Sequence, residues 1–284
     1  MLTDCQLFKR FIKTGVFELI AAGGDLTTAG LGLPAIVTNS SARAPVVLVC
    51  EHACNHIPAG LHSLGLSDDV QNSHVAWDPG AIEVANRLSV LLDARLVSSG
   101  VSRLVYDCNR PPSSDDAMPV KSEVFNIPGN AGLSDADRAD RVARYYDPFR
   151  KTLSETISGV KQPVLVTIHS FTPVYKGQQR DTDIGVLHDR DARLADVLLA
   201  RAAAHNDLLF ERNQPYGPED GVTHTLKEHA IAGGLLNVML EIRNDLIATP
   251  KQQDAIAGML AGWLSDGLAE LGVDLVGKGA ACHG

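Results

Sequence analysis

Short apolar runs bounded by turn residues recur along the chain and alternate with stretches of helical period. Pro45-Val46-Val47-Leu48-Val49-Cys50 leads into Glu51-His52, Pro163-Val164-Leu165-Val166 into Thr167-Ile168-His169, and Leu235-Leu236-Asn237-Val238-Met239-Leu240 into Glu241. Near-continuous apolarity over such short lengths predicts strands buried on both faces of a sheet. Between them, Ala81, Ile82, Val84, Ala85, Leu88, Leu91 and Leu92 predict an amphipathic helix over residues 80–93, and Ser134-Asp135-Ala136-Asp137 opens another that runs to about residue 158. Residues 191–205 and 250–271 supply two more, the last with Ile256, Met259, Leu260, Trp263 and Leu264 on one face.

Residues 94–98 and 103–108 predict short strands joined as a hairpin around Ser99-Gly100, and Ile184-Gly185-Val186-Leu187 predicts a further strand. The alternation of strand and helix implies an α/β fold of three layers, with a mostly parallel or mixed twisted sheet flanked by helices. No linker-like composition divides the chain, so residues 45–276 form one domain, residues 1–44 an N-terminal extension without fixed structure, and residues 277–284 a tail. The loops over residues 111–132 and 172–183 are long for a compact domain, which marks them as functional candidates.

Composition narrows the function. The 284 residues are 45% hydrophobic, enough for a substantial core. The net charge of −9 with dispersed Lys and Arg argues against nucleic acid as a partner and for a small molecule, since a few arginines suffice to bind an anion in an acidic protein. Glu18 interrupts the apolar stretch after Lys9-Arg10, so neither a secretory segment nor a membrane span is expected. Five cysteines without a CxxC pair do not read as a disulfide framework, and a cytoplasmic location follows as the default. Cys50 and Cys54 flank His52, but read as small packed side chains before they read as zinc ligands.

The three apolar runs place His52, His169 and Glu241 at carboxyl ends of strands, the edge where open α/β sheets bind ligands. A catalytic zinc takes about three protein ligands and keeps one position open. His52 and His169 are two candidates, and Asp78, in His74-Val75-Ala76-Trp77-Asp78-Pro79-Gly80, is the third, with a helix cap or turn as its competing role. Glu51 and Asn55 are nearer His52, yet adjacent strand residues face opposite ways and an amide ligates zinc poorly. A desolvated Glu241 would have a raised pKa suited to a general base, unless it pairs with Arg243 two residues on. Asn109-Arg110 offers an amide and a planar fork for a substrate carboxylate, against a loop-stabilising role before Pro111-Pro112. Arg103 and Asp107 are spaced to form an ion pair, and Tyr216, in Pro-Tyr-Gly, is a candidate hydrogen-bond donor on a mobile loop. Arg103, Tyr216 and Arg243 complete the candidate substrate-binding set, and His224 reads as an exposed histidine at a helix start.

From about residue 46 to 271 the ordered motifs Glu51-His52-Ala53-Cys54-Asn55, Ser102-Arg103-Leu104-Val105-Tyr106-Asp107-Cys108-Asn109-Arg110-Pro111, Ile168-His169-Ser170-Phe171-Thr172-Pro173 and Glu241-Ile242-Arg243-Asn244-Asp245-Leu246 resemble the N-formylglutamate amidohydrolase family. The resemblance implies a phosphorylase/hydrolase-like fold, similar to zinc carboxypeptidases and aspartoacylases, in which metal-activated water cleaves an amide. It implies one zinc ion, or another divalent metal, per chain, and a small acidic N-acyl amino acid as substrate. His169 then looks like a strand-end metal ligand, Asn109-Arg110 like the carboxylate-binding pair, and Glu241 like the catalytic glutamate. The alternatives are a carboxypeptidase-like or peptidoglycan-directed amidase, and a non-catalytic carboxylate-binding protein. Three departures stand out: Asn55 where relatives carry the glutamate of a His-x-x-Glu metal motif, Phe149-Arg150 where a Tyr-His pair is expected, and Asp181-Thr182-Asp183 where the family tends to carry Pro-Trp and a polar residue.

Overall fold

A computed structural model describes residues 17–19, 32–205 and 207–275. Eight strands, β1 (Phe17–Leu19), β2 (Ile36–Thr38), β3 (Val46–Cys50), β4 (Arg95–Ser98), β5 (Val164–Phe171), β6 (Ile184–Leu187), β7 (Phe210–Arg212) and β8 (Asn237–Arg243), form one sheet in the order β1-β2-β4-β3-β5-β8-β6-β7. The central four, β4, β3, β5 and β8, run parallel, while β2 is antiparallel to β4 and β6 antiparallel to β8. This is the mixed sheet expected of the alternating pattern.

The α-helices longer than one turn are α1 (Ala81–Leu91), α2 (Asp135–Arg141), α3 (Asp147–Ser158), α4 (Arg193–Arg201), α5 (His224–His229) and α6 (Pro250–Glu270). Ser134 and Asp137 form a reciprocal capping box at the start of α2, and Thr249 with Gln252 does the same for α6, so each start is fixed by side chains that satisfy orphan backbone donors. A π-helical turn, Val142–Tyr146, joins α2 to α3 and interrupts the predicted single helix.

Strand periodicity divides the core in two. Val46, Leu48 and Cys50 of β3, Val164, Val166 and Ile168 of β5, and Val238, Leu240 and Ile242 of β8 pack on the side of α1, α4 and α6. Val47 and Val49, Leu165 and Met239 face the other layer, with Tyr146, Phe149 and Leu153 from the α2–α3 region and Leu226 of α5. Continuing that alternation puts Glu51, His169 and Glu241 on the second face, at the carboxyl edge of three adjacent parallel strands. The register agrees: Glu241 pairs with His169, and Val49 pairs with Thr167, which brings Glu51 alongside His169.

Two expectations are corrected. Residues 103–108 are not a strand and form no hairpin with β4. Ser102 instead donates its backbone N–H to His56 O (2.8 Å), and Val105 and Arg110 close turns onto Ser102 O (2.9 Å) and Asp107 O (3.0 Å). Leu104, Val105 and Tyr106 are buried in the second core from these turns, so their apolarity marks burial rather than sheet pairing. The sheet also reaches into the segment assigned to the extension: β2 pairs with β4, and Ala35, Val37, Ala42 and Ala44 are buried. The rest of residues 1–31, and the predicted tail over residues 277–284, lie outside the described residues. Among the described residues no helix is long and apolar enough to cross a membrane.

Candidate active site and metal centre

A cleft of about 350 Å³ opens at the carboxyl edge of β3, β5 and β8. Of the residues singled out by the sequence, His52, Asp78, Arg103, Asn109, Arg110, His169, Tyr216 and Glu241 line it. Arg243 does not. Its guanidinium is committed to Asp183 and Asp245, each at 2.8 Å, so it neither neutralises Glu241 nor faces the cleft. The two residues share a strand face as the spacing requires, but the nearer acidic loops capture the arginine.

At the base of the cleft, one ligand atom each from His52, Asp78 and His169 lies within 4.8 Å of the other two. Nδ1 of His52 is 3.1 Å, and Nδ1 of His169 2.9 Å, from Asp78 Oδ2, and the two Nδ1 atoms are 3.2 Å apart. All three residues are buried. Asp78 is not a helix cap. Gly80, with φ of +82°, takes the N-cap position of α1, and the turn it permits leaves the Asp78 carboxylate free to reach across to β5. A Cβ at Gly80 would come within 2.6 Å of Ile247 O, so the close approach excludes a side chain as well.

Each histidine also meets a carboxylate on its other ring nitrogen. His52 Nε2 is 2.8 Å from Asp107 Oδ1, and His169 Nε2 is 3.1 Å from Glu51 Oε2. Sequence reasoning missed both acids as partners of the histidines. The even spacing links Asp107 only to Arg103, which it does bind at 2.8 Å, in a turn rather than along a strand. Strand alternation turns Glu51 away from His52, but the chain leaves β3 at Cys50 and His52 lies in the following turn. The signal that could have found Glu51 is its parity with Val47 and Val49.

Arg103 spans the cluster, donating to Asp78 Oδ1 (3.3 Å) and Asp107 Oδ2 (2.8 Å). Burial alone would raise the Asp78 and Asp107 pKa values, but the charges of the histidines, with Arg103 beside Asp107, hold both well below the usual carboxylate range. Burial would likewise lower the histidines, yet Glu51 and Asp78 raise His169, and Asp107 and Asp78 raise His52 against Arg103. Glu241 behaves oppositely. Among the described residues nothing hydrogen-bonds its carboxylate, and burial pushes its pKa up to about 7. His169 therefore stands between an ionised acid, Glu51, and one poised to exchange a proton near neutrality.

The donor set fits a divalent cation. Two imidazole nitrogens and one carboxylate oxygen are the borderline ligands that zinc takes in catalytic sites. Glu51, Asp78 and Asp107 carry three negative charges against one from Arg103, the excess that a doubly charged ion bound by neutral histidines would balance. Asn55 takes no part, its amide donating to Gln71 O (3.0 Å) and Asn72 Oδ1 (2.9 Å).

The outer cleft carries the candidate anion-binding groups. Arg110 Nη1 is buried without a hydrogen-bond partner, a donor left for a ligand. Asn109 is largely spent on structure: its amide donates to Val222 O, and its Oδ1 accepts from Thr225 N–H at 3.0 Å. Tyr216 accepts a hydrogen bond from Arg180 (3.0 Å), whose guanidinium also stacks over the Tyr175 and Tyr216 rings at 4.4 and 4.8 Å. The phenol is thereby held in place rather than loose, with burial pushing its pKa up to about 12. His224 is partly buried and hydrogen-bonded to the Tyr146 hydroxyl (2.7 Å), not an exposed histidine.

A gene product of Agrobacterium tumefaciens, Atu2144, is 54% identical over 84% of this chain and 96% of its own, with a TM-score of 0.81. The N-formylglutamate amidohydrolase of Ralstonia eutropha is 17% identical over 79% of this chain and 95% of its own, with a TM-score of 0.50, and shares the fold. No curated protein matches. The sequence pattern of the N-formylglutamate amidohydrolases covers residues 44–248, and the chain belongs to that family.

Proposed function

We propose that this protein hydrolyses the amide of a small acidic N-acyl amino acid of the N-formylglutamate kind, with a divalent metal, zinc by its ligand chemistry, held by His52 Nδ1, Asp78 and His169 Nδ1. The observation that carries this reading is the convergence of those three buried ligand atoms beside Glu241, the strand neighbour of His169, whose carboxyl burial pushes up to about 7. When bound, such an ion lowers the pKa of water toward about 7 and polarises a carbonyl oxygen.

The chain's own residues supply the rest. Arg110 offers its unpartnered Nη1 to the substrate carboxylate and so fixes which end of the substrate reaches the base of the cleft. Glu241, ionised at or above neutral pH, takes a proton from the attacking water as the new C–O bond forms, and returns it to the amide nitrogen as the C–N bond breaks. The products are the carboxylic acid and the free amino acid. Arg103, anchored on Asp78 and Asp107, keeps both carboxylates ionised and aimed at the histidines. A cytoplasmic location belongs to the same proposal, supported by the unpaired Cys50, Cys54 and Cys108.

The deciding experiment purifies the chain without chelators, measures zinc by elemental analysis, and assays N-formylglutamate beside N-acetyl amino acids and short peptides. The reading expects stoichiometric metal and release of a free amino acid from the N-formyl substrate. Turnover that survives complete metal removal overturns it, and release of a C-terminal residue from peptides points to the carboxypeptidase-like activity instead.

A further inference from the structure

Glu51 is among the most deeply buried ionisable groups of the molecule, with its side chain fully covered. Neither of its oxygens has an aligned hydrogen bond, and the same holds for His169 Nε2, although that nitrogen lies only 3.1 Å from Glu51 Oε2. Desolvation strongly disfavours a buried carboxylate that lacks aligned hydrogen bonds. Leucine or methionine would fill the same space without that penalty, so packing does not account for the acid.

The partner histidine shows what such an acid does when aligned. His52 Nε2 is hydrogen-bonded to Asp107, which leaves Nδ1 to face Asp78 and His169. Glu51 occupies the matching position behind His169, whose Nδ1 faces the same point. The surroundings are built to hold it. Thr225, whose hydroxyl lies against the Glu51 carboxylate, has its backbone N–H bound by Asn109 Oδ1 (3.0 Å). The residues preceding Thr225 are fixed too, Thr223 by its hydroxyl on Asp189 (2.8 Å) and His224 by Tyr146 (2.7 Å). The amide of Asn109, next to the anion-binding Arg110, is thus tied to the wall that supports Glu51.

We infer that Glu51 is a positioning residue, which accepts the Nε2 proton of His169 and so presents the Nδ1 lone pair to a metal, as Asp107 does for His52. This rests on the metal-centre reading above. A carboxylate that receives a ligand histidine's second N–H fixes its tautomer and orientation, and losing such a partner typically weakens metal binding by about 10- to 100-fold.

The test compares full-length wild type with Glu51→Leu and Glu51→Gln, reading zinc affinity by chelator competition, the thermal unfolding midpoint without metal, and the His169 tautomer by nitrogen-15 NMR of the zinc-loaded chain. The expected result is that Glu51→Leu binds zinc about 10- to 100-fold more weakly while its metal-free midpoint is unchanged or higher. Glu51→Gln keeps an acceptor without the charge and falls between, and wild type carries the His169 proton on Nε2. Zinc binding by Glu51→Leu within about twofold of wild type, a His169 proton on Nδ1, or an affinity loss matched by a lower midpoint in both variants overturns the inference. Wild type that binds no zinc overturns the metal-centre reading itself, which separates the two failures.

Discussion

Glu241 and His169 are paired neighbours on parallel strands β8 and β5, with both side chains on the face that opens into the cleft. The pairing places the candidate base beside a candidate metal ligand through backbone register alone, before any side-chain contact is made. A shift of one residue would turn Glu241 into the layer of α1, α4 and α6.

Glu241→Gln keeps the shape and removes the candidate base. The expected loss in kcat is about 10²- to 10⁴-fold, with zinc content unchanged. As the proposed base, Glu241 must be deprotonated, so kcat/KM should rise with pH along an acid limb and level off above it; burial pushes the metal-free carboxyl up to about 7, and a bound cation moves that limb to lower pH. That limb should vanish from the residual activity of the variant. A full rate in Glu241→Gln removes the residue from the mechanism.

Arg110 and Arg243 separate a cleft cation from a structural one. Arg110→Lys keeps the charge but loses the fork, so KM for an acidic substrate should rise about tenfold or more, the equivalent of about 1.5 kcal/mol for a charged hydrogen bond, with kcat little changed. Arg243→Ala should leave KM near the wild-type value and lower the unfolding midpoint, since its partners Asp183 and Asp245 lie outside the cleft lining. Steady-state kinetics on the two variants settle the assignment; a KM rise confined to Arg243→Ala would reverse it.

The parts of this site legible in the sequence are those set by strand period. His169 and Glu241 sit within strands whose alternating apolar neighbours fix their face, and the long apolar runs gave the central sheet. What was not legible depends on turns. Arg103, Asp107 and Asn109 lie in consecutive turns after β4 that apolar content alone makes look like a strand. Glu51 is hidden because strand alternation does not extend to His52, which lies beyond the end of β3. Asp78 was reachable as a candidate, but its choice between cap and ligand turned on the positive φ of Gly80, which depends on tertiary packing against Ile247.

The buried carboxylates make the fold acid-sensitive. The folded pKa of Asp107 is depressed, because the charges of His52 and Arg103 outweigh the upward push of burial. Its contribution to stability is therefore complete above the unfolded value of about 3.9 and is lost as pH falls through that value toward the folded one. Urea unfolding between pH 7 and pH 3 should show free energy dropping at the acid end. Asp107→Asn should start lower at pH 7 and fall less steeply, because it has no proton to gain; an unchanged slope would place the acid sensitivity in other carboxylates.

Gly80 links fold to site most directly. Replacing it with alanine forces a side chain into a left-handed turn, a strain of order 1 kcal/mol, and drives a Cβ to 2.6 Å from Ile247 O, so the turn must shift. Asp78 lies two residues before it, with its backbone N–H on His52 O (3.0 Å), and moves with the turn. Gly80→Ala should therefore lower the unfolding midpoint and weaken zinc binding together. Ala81→Gly, one position on, tests specificity: it costs about 1 kcal/mol of helix stability without blocking the turn, so its midpoint should fall while zinc affinity stays near wild type. Equal zinc affinity in both variants would show that the turn does not place Asp78.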